Sequence, residues 1–187
     1  VALLMDDYDI RNIPIVDDEN RFLGLVSEHG LARAYVSPHA SLPLKVGPIT
    51  LEALARILKA EIVHAAHDEI HGNASIVIDA LHISLARLGP HDVAIIGDNE
   101  PSQIALVAEG ICALIIAEGA HLGERVRESA KNMGVSLLKT SLDAFSVGRL
   151  LHLSGPVETI MATDAETLHK DDLLSTAAQI VSNSPYR

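Results

Sequence analysis

The chain has 187 residues, a formal net charge of −11, 48% hydrophobic and 3% aromatic residues, and no tryptophan. This length allows one or two domains around an aliphatic core. The excess of acidic residues argues against nucleic acid and anionic membrane as partners, because both bind basic surfaces. No apolar run approaches the roughly 18 residues that a transmembrane helix needs.

The single cysteine, Cys112, falls within a predicted buried strand. A lone cysteine excludes an internal disulfide and indicates a reducing, cytoplasmic setting. The sequence opens on Val1 in the middle of a helical pattern and begins with no signal peptide. We therefore expect a cytoplasmic piece of a longer polypeptide.

The first 36 residues predict the end of a helix, a β-hairpin and a second helix. The strands are Ile13–Val16 and Phe22–Val26, joined by the polar turn DDENR. Ser27 follows as the N-cap of a helix that runs to about Val36, because its hydroxyl can accept hydrogen bonds from first-turn amides. Three prolines then predict a linker over residues 38–49.

Residues 50–155 predict an α/β domain with a mainly parallel sheet. Thr50 caps a helix whose leucines fall on one face. Strands are predicted at Glu61–Ala66 and Ala74–Ala80, with a turn at His71-Gly72-Asn73 between them. The later predicted elements are the helix Glu124–Asn132 closed by Gly134, the strand Val135–Leu138 and the helix Leu142–Leu153.

A predicted βαβ unit lies at the centre of this domain, between Val93 and Ala120. Two apolar runs, 93–98 and 112–117, flank a helical pattern that Pro101 opens. Neither run alternates with polar residues, as is typical of parallel strands covered on both faces. A short helical crossover places such strands side by side, so we expect these two to be adjacent and parallel.

The two ends of the chain resemble the CBS domain. IRNIPIVDDENRFLGLVSEHGLARAYV, residues 10–36, is similar to the C-terminal part of a CBS motif, which we place at residues 1–37. VETIMATDAETLHKDDLLSTAAQIVSNSPYR, residues 157–187, is similar to the N-terminal part of a second motif, which we place at 156–187. CBS motifs pair, so the resemblance implies that the two ends lie near one another.

The middle of the chain, residues 50–155, resembles the DRTGG domain. The sequences GDNEPSQ (97–103) and LIIAEG (114–119) stand at its motif positions. Asp98-Asn99 replaces the Asp-Arg of the family, and Ala117-Glu118-Gly119 replaces its Thr-Gly-Gly. The resemblance implies an α/β fold and an interface role for four motif residues: Asp98, Asn99, Glu100 and Gln103.

The order CBS, DRTGG, CBS resembles the regulatory region of manganese-dependent, DHH-type inorganic pyrophosphatases. The resemblance implies that adenine nucleotides regulate attached DHH-type catalytic domains, which hold Mn²⁺ or Co²⁺. It further implies inhibition by AMP or ADP, activation by ATP or diadenosine polyphosphates, and a homodimer.

The same resemblance implies the nucleotide-binding residues. Ser27 would contact phosphate at the start of a helix, where backbone amides also favour an anion. Asn12, Ile13 and Pro14 would offer backbone groups to adenine. Tyr186 and Arg187 would stack on the base and bind phosphate. Gly30 stands where the family has a ribose-binding acid. Ser27 is equally well explained as a helix cap alone.

No catalytic residue or metal site is predicted. His64, His67 and His71 would share one face only on a helix, whereas this stretch predicts strand and turn. Asp98 is better explained as an acceptor of turn or helix amides than as an acid or base. Two alternatives to the nucleotide sensor are a dimerising scaffold with decayed CBS sites, and a regulatory module of another enzyme.

Overall fold

The computed structural model describes residues 1–36, 44–78 and 80–183, and the chain divides into two compact units. The first combines Val1–Val36 with Val157–Arg187, and the second is Ser37–Pro156. In chain order the elements are α1 (Ala2–Tyr8), β1 (Asn12–Val16), β2 (Phe22–Ser27), α2 (Glu28–Val36), β3 (Leu44–Thr50), α3 (Leu51–Ile57), β4 (Glu61–His64), β5 (Glu69–Ile76), α4 (Leu81–Leu85), β6 (Val93–Ile96), α5 (Glu100–Ala108), β7 (Ala113–Ile116), α6 (Glu124–Met133), β8 (Ser136–Lys139), α7 (Ala144–His152), a 3-10 helix (Val157–Thr159) and α8 (Leu174–Asn183). Within the described ranges, no helix is long and apolar enough to cross a membrane.

In the first unit, β1 and β2 form the predicted antiparallel hairpin. The main chains of Leu25 and Ala162 exchange two hydrogen bonds of 2.9 Å, so the segment after residue 157 packs beside β2. Gly24 permits this approach, because a Cβ there would lie 2.7 Å from the Ala162 carbonyl oxygen. The prediction that the two ends of the chain lie near one another is confirmed.

The second unit is a six-stranded, mainly parallel sheet in the order β3-β5-β6-β7-β8-β4. Strands β5, β6, β7 and β8 are parallel, and the edge strands β3 and β4 are antiparallel to their neighbours. β6 and β7 are adjacent, with Val93 opposite Ala113. This confirms the predicted α/β class and the predicted pairing of the two apolar runs.

All four residues of β6 and all four of β7 are buried, because helices cover both faces of the sheet. One core contains Ile95 and Ile115 with residues of α3 and α7. The other contains Ile96 and Leu114 with residues of α5 and α6. The unalternated apolar pattern in the sequence therefore has a direct structural cause.

Two predictions about the start of this unit are wrong. Residues 44–49 of the predicted linker belong to β3, which pairs with β5; residues 38–43 lie outside the described residues. Pro48 is accommodated because the register is irregular between Val46 and Ile49, where no ladder donor is needed. The turn predicted at residues 71–73 is part of β5, since cross-strand bonds to β3 outweigh the local turn preference.

Candidate functional site

The residues that the CBS resemblance assigns to a nucleotide meet at one end of the β1–β2 hairpin. Asn12 and Ser27 are direct cross-strand partners. The Glu28 amide donates to the Arg11 carbonyl at 2.8 Å, which closes the hairpin next to the start of α2. The Ser27 hydroxyl oxygen accepts from the Gly30 amide at 2.9 Å. The predicted capping role of Ser27 is therefore confirmed.

The three predicted adenine-contact residues alternate along β1. Asn12 and Pro14 are exposed, whereas Ile13 between them is half-buried. Successive strand side chains point to opposite faces, so the three side chains cannot line one surface together. A contact from all three residues to one ligand would therefore have to use their main-chain groups.

A cavity of about 340 Å³ lies beside this hairpin end, between α1 and α2. Its polar lining comes from Asp6, Asp9, Arg11 and Glu28, and its apolar lining from Met5, Ile10 and Leu31. The Arg11 Nε lies 4.0 Å from Glu28 Oε2, and both side chains are mostly exposed, so this ion pair holds the guanidinium only weakly. Arg11 is the cationic residue of this lining, and sequence reasoning missed it. Its position directly before Asn12 was the available signal.

Three further positions that the resemblance relates to the ligand are Gly30, Tyr186 and Arg187. Gly30 offers no side chain, and a Cβ there would lie 3.3 Å from the Ser27 hydroxyl oxygen and 3.5 Å from the Ile160 carbonyl oxygen. The Cβ atom of a larger side chain at this position would therefore be in close contact with Ser27 and Ile160. Tyr186 and Arg187 lie outside the described residues.

In the second unit, the motif residues of the DRTGG resemblance lie at the carboxyl end of β6. Asn99 caps α5, with its side-chain oxygen accepting from the Ser102 amide at 3.0 Å. This is the function that we predicted for Asp98, so that prediction is wrong. The Asp98 side chain is exposed, and it accepts no hydrogen bond from any residue that the structure describes. Asn99 directly precedes α5, so its side chain is the one that reaches the first-turn amides.

Gln103 and Glu100 connect this turn to the loop before α6. Gln103 is fully buried, and its Nε2 donates to the Gly97 carbonyl at 2.9 Å and the His121 carbonyl at 3.2 Å. Burial places the Gln103 side chain inside the unit and away from any surface contact. A Cβ on Gly123 would lie 2.7 Å from a Glu100 carboxylate oxygen. The Glu100 carboxylate thus sits at the N-terminus of α6, where negative charge is favourable.

The histidines and the cysteine do not form a metal site in the described ranges. No group of three His, Cys, Asp or Glu residues there is arranged to hold an ion. The His71 ring stacks on that of His91, with centroids 5.4 Å apart. Burial raises the pKa of the Cys112 thiol, so it stays protonated and is a poor ligand and nucleophile at neutral pH.

Two family models match the chain. The DRTGG domain model matches residues 53–154, and the CBS domain model matches residues 1–37. Together they cover the first hairpin with its two helices and every strand of the central sheet except β3. The replacement of both namesake motifs has therefore not removed the recognisable pattern of the central domain.

The chain is also similar to two pyrophosphatases and one solved structure. A probable manganese-dependent inorganic pyrophosphatase from Thermotoga maritima is 39% identical over the whole chain. A cobalt-dependent inorganic pyrophosphatase from Clostridium perfringens is 25% identical over 98% of it. The chain spans only 34% of the length of each relative. A crystal structure of the CBS and DRTGG domains of the regulatory region of Clostridium perfringens pyrophosphatase, complexed with the activator diadenosine tetraphosphate, superposes with a TM-score of 0.79 at 23% identity, covering 99% of this chain and 82% of that one. This last likeness establishes the fold.

Proposed function

The chain belongs to the DRTGG domain family, and we propose that it is an adenine-nucleotide-binding region that regulates an inorganic pyrophosphatase. The observation that carries the proposal is the 39% identity, along the entire chain, to one third of a probable manganese-dependent pyrophosphatase. The fold match to a regulatory region bound to diadenosine tetraphosphate supports an adenine nucleotide as the ligand. In this proposal the chain itself carries no catalytic residue.

The nucleotide site is proposed at the end of the β1–β2 hairpin. Ser27 and the first amides of α2 would bind phosphate, because helix N-termini favour anions. Arg11, at the edge of the neighbouring cavity, would add a charge-assisted contact. The main chain of Asn12, Ile13 and Pro14 would face adenine. Tyr186 and Arg187 are proposed to complete the site from the second CBS piece, residues 156–187.

Regulation requires that the nucleotide bind one arrangement of the protein better than another. We place the pyrophosphate-hydrolysing, DHH-type domains, with their Mn²⁺ or Co²⁺, elsewhere in the same cytoplasmic polypeptide. AMP or ADP would favour the inhibited arrangement, and ATP or diadenosine polyphosphates the active one. A homodimer would bring two such regions together.

Calorimetry tests the binding step. The 187-residue chain is titrated with AMP, ATP and diadenosine tetraphosphate, and we expect micromolar affinity, about 7–8 kcal/mol. Ser27→Asp separates phosphate contact from capping, because Asp is an equally good N-cap but repels phosphate. The expected result is unchanged thermal stability with affinity lost. Unchanged affinity in Ser27→Asp would remove the phosphate contact from the proposal.

Substitution of two arginines tests which side chains contact the phosphate. Arg187→Ala and Arg11→Gln should each weaken binding, by about 2 kcal/mol for a charge-assisted phosphate contact. Two matched controls should leave the affinity unchanged: Arg125→Gln, which removes an exposed arginine from α6, and Asp98→Ala, which lies in the other unit. Absence of binding heat with all three nucleotides would overturn the nucleotide sensor.

The second candidate is a dimerising scaffold whose CBS sites have decayed. Gly30, which lacks a side chain, favours it, as do apolar side chains that α8 leaves exposed: Leu174 is 88% and Val181 67% exposed. Sedimentation analysis distinguishes the two, because the scaffold predicts a stable dimer with no nucleotide dependence. A monomer that binds nucleotide would eliminate it.

A further inference from the structure

The main-chain carbonyl of Ile160 is a hydrogen-bond acceptor next to the proposed nucleotide site, and it accepts no hydrogen bond from any residue that the structure describes. A Cβ on Gly30 would lie 3.5 Å from this carbonyl oxygen and 3.3 Å from the Ser27 hydroxyl oxygen. Both oxygens therefore face the bare Cα of Gly30. Gly30 and Ile160 are each half-buried, so a ligand can reach this point and would displace water from it. A partly shielded carbonyl gains free energy when a donor binds it.

The position of the Ile160 carbonyl is fixed by hydrogen bonds on either side of it. The Ile160 and Met161 amides donate to the Val157 carbonyl at 3.0 and 2.9 Å. Ala162 and Leu25 exchange the two bonds of 2.9 Å that join this segment to β2. The carbonyl is thus held next to α2 before any ligand arrives, and an acceptor that is already in place costs little conformational entropy on binding.

Ser27 and Ile160 offer a ligand opposite halves of a hydrogen bond. The Ser27 oxygen accepts from the Gly30 amide at 2.9 Å, which leaves its O–H to donate to a phosphate oxygen. A carbonyl can only accept. The donors of an adenine nucleotide are its ribose hydroxyls and the adenine amino group, and the hydroxyls are the nearer of the two to the phosphate. An acceptor beside the phosphate contact therefore matches a ribose hydroxyl.

Glu28, the acidic residue of α2, is directed elsewhere. Residues two positions apart on a helix do not share a face, so Glu28 lies on a different side of α2 from Gly30. The Glu28 carboxylate is 4.0 Å from the Arg11 Nε, and its side chain is 71% exposed. Gly30 itself has no side chain. The main chain of Ile160 is thus the acceptor that faces this part of the site.

On the premise of the proposed nucleotide site, we propose that one ribose hydroxyl of the nucleotide donates to the Ile160 carbonyl across the bare Cα of Gly30. The phosphate would then be held by Ser27 and the start of α2, and the sugar by the main chain of the second CBS piece. The nucleotide would in this way join β2 and α2 to residues 157–162. Position 30 has to remain glycine, because a methyl group there would fill the space that the sugar needs.

The test compares AMP with 2′-deoxy-AMP and 3′-deoxy-AMP by calorimetry on the 187-residue chain. At least one of the two deoxy analogues should bind about tenfold more weakly than AMP, as expected for the loss of one hydrogen bond to a neutral acceptor. Equal affinity for all three nucleotides would overturn this inference and leave the nucleotide site in place. Absence of binding by all three would overturn the proposed function, and this inference with it.

Gly30→Ala separates the contact with Ile160 from other effects of the missing hydroxyl. This variant should bind AMP about tenfold more weakly, and it should no longer distinguish AMP from the sensitive analogue, because neither can reach the carbonyl. Alanine favours a helix more than glycine does, and thermal unfolding checks that the variant folds. The matched control Gly97→Ala, in the second unit, should retain both the AMP affinity and the discrimination. A Gly30→Ala variant that still prefers AMP by the same factor would overturn the proposal.

Amide NMR gives a second readout that needs no variant. The Met161 N–H shares its peptide group with the Ile160 carbonyl, so a hydrogen bond to that carbonyl polarises the group and shifts the Met161 resonance. AMP should shift this resonance, and the sensitive analogue should shift it less. A Met161 resonance that responds equally to both nucleotides, or to neither, would place the sugar away from Ile160 and overturn the proposal.

Discussion

The two units differ in how they are held together. In the first, Met5 and Val26 are the buried hydrophobic residues within the described ranges. The second has two cores, one on each face of its sheet. Burial of apolar surface is the main source of folding free energy, so the second unit must supply most of the stability. The first unit is the part whose conformation a ligand can most easily bias.

Surface composition follows the same division. The first unit leaves several large apolar side chains exposed: Tyr8 at 71%, Leu173 at 71%, Leu174 at 88% and Val181 at 67%. A stable, isolated domain would cover more of this surface. The proposed role of this unit, as the part that responds to nucleotide, is consistent with a small core of its own.

The largest expected effect is in the sheet of the second unit. Leu114→Ala removes a fully buried side chain from β7 and should lower the free energy of unfolding by about 3–4 kcal/mol, because it leaves a cavity between packed layers. Urea denaturation measures the change. Leu174→Ala, the matched change at an exposed leucine of the first unit, should change it by less than about 0.5 kcal/mol. Equal losses would contradict the difference between the units.

The next largest loss of stability is expected from a glycine substitution in β5. Gly72 has φ of 128°, and a Cβ there would lie 2.1 Å from the His91 carbonyl oxygen. Gly72→Ala should therefore cost about 3 kcal/mol in thermal or urea unfolding. Gly97→Ala is the control, since nothing lies within 4 Å of its Cβ position. A neutral Gly72→Ala would mean that β5 does not follow this path.

In the first unit, Gly24→Ala should act locally. The added Cβ would lie 2.7 Å from the Ala162 carbonyl oxygen, so residues 160–162 should detach from β2 at a cost of about 2 kcal/mol. Hydrogen exchange of the Leu25 and Ala162 amides, which hold the two segments together, should accelerate while amides of β6 stay protected. Uniform acceleration in both units would show that they unfold as one.

The division between the units also explains what sequence could predict. The apolar runs of β6 and β7 identified a parallel pair because burial on both faces removes polar residues from the pattern. Ser27, Thr50 and Gly134 marked helix ends correctly, since capping chemistry is local: both hydroxyls accept first-turn amides, and Gly134 has φ of 66°.

The predictions that failed concern features that depend on residues distant in the sequence. β3 was not predicted because a proline such as Pro48 disfavours a strand. The register irregularity that accommodates Pro48 depends on pairing with β5, which the local sequence does not show. Asn99 and Asp98 are both good caps, and the sequence could not rank them. Arg11 was missed because its relevance depends on the cavity formed by α1 and α2.

The smallest expected effect compares two carboxylates, one in each unit. The Ser146 side chain and amide hold the pKa of Asp143 below its ordinary value of 3.8. The Arg21 amide and side chain, partly offset by desolvation, lower the pKa of Asp17 in the same direction. A depressed pKa in the folded state stabilises above the unfolded value, and that stabilisation is lost as the pH falls through the folded value.

Acidification below about pH 4 should therefore loosen both contacts, the N-cap of α7 and the β1–β2 turn. Carbon NMR of the carboxyl groups should place both titration midpoints below 3.8, and the Ser146 and Arg21 amides should exchange faster as each carboxylate is protonated. In Asp143→Asn the cap persists without a titrating group, so the pH dependence at Ser146 should disappear while that at Arg21 remains. Asp17 pairs with the Arg21 guanidinium, whereas Asp143 accepts from the neutral Ser146. Because the supporting core is smaller in the first unit, loosening should stay at the cap in the second unit and spread to Asn12 and Ser27 in the first. Spreading of equal extent around Asp143 would mean that the double core does not confine local opening.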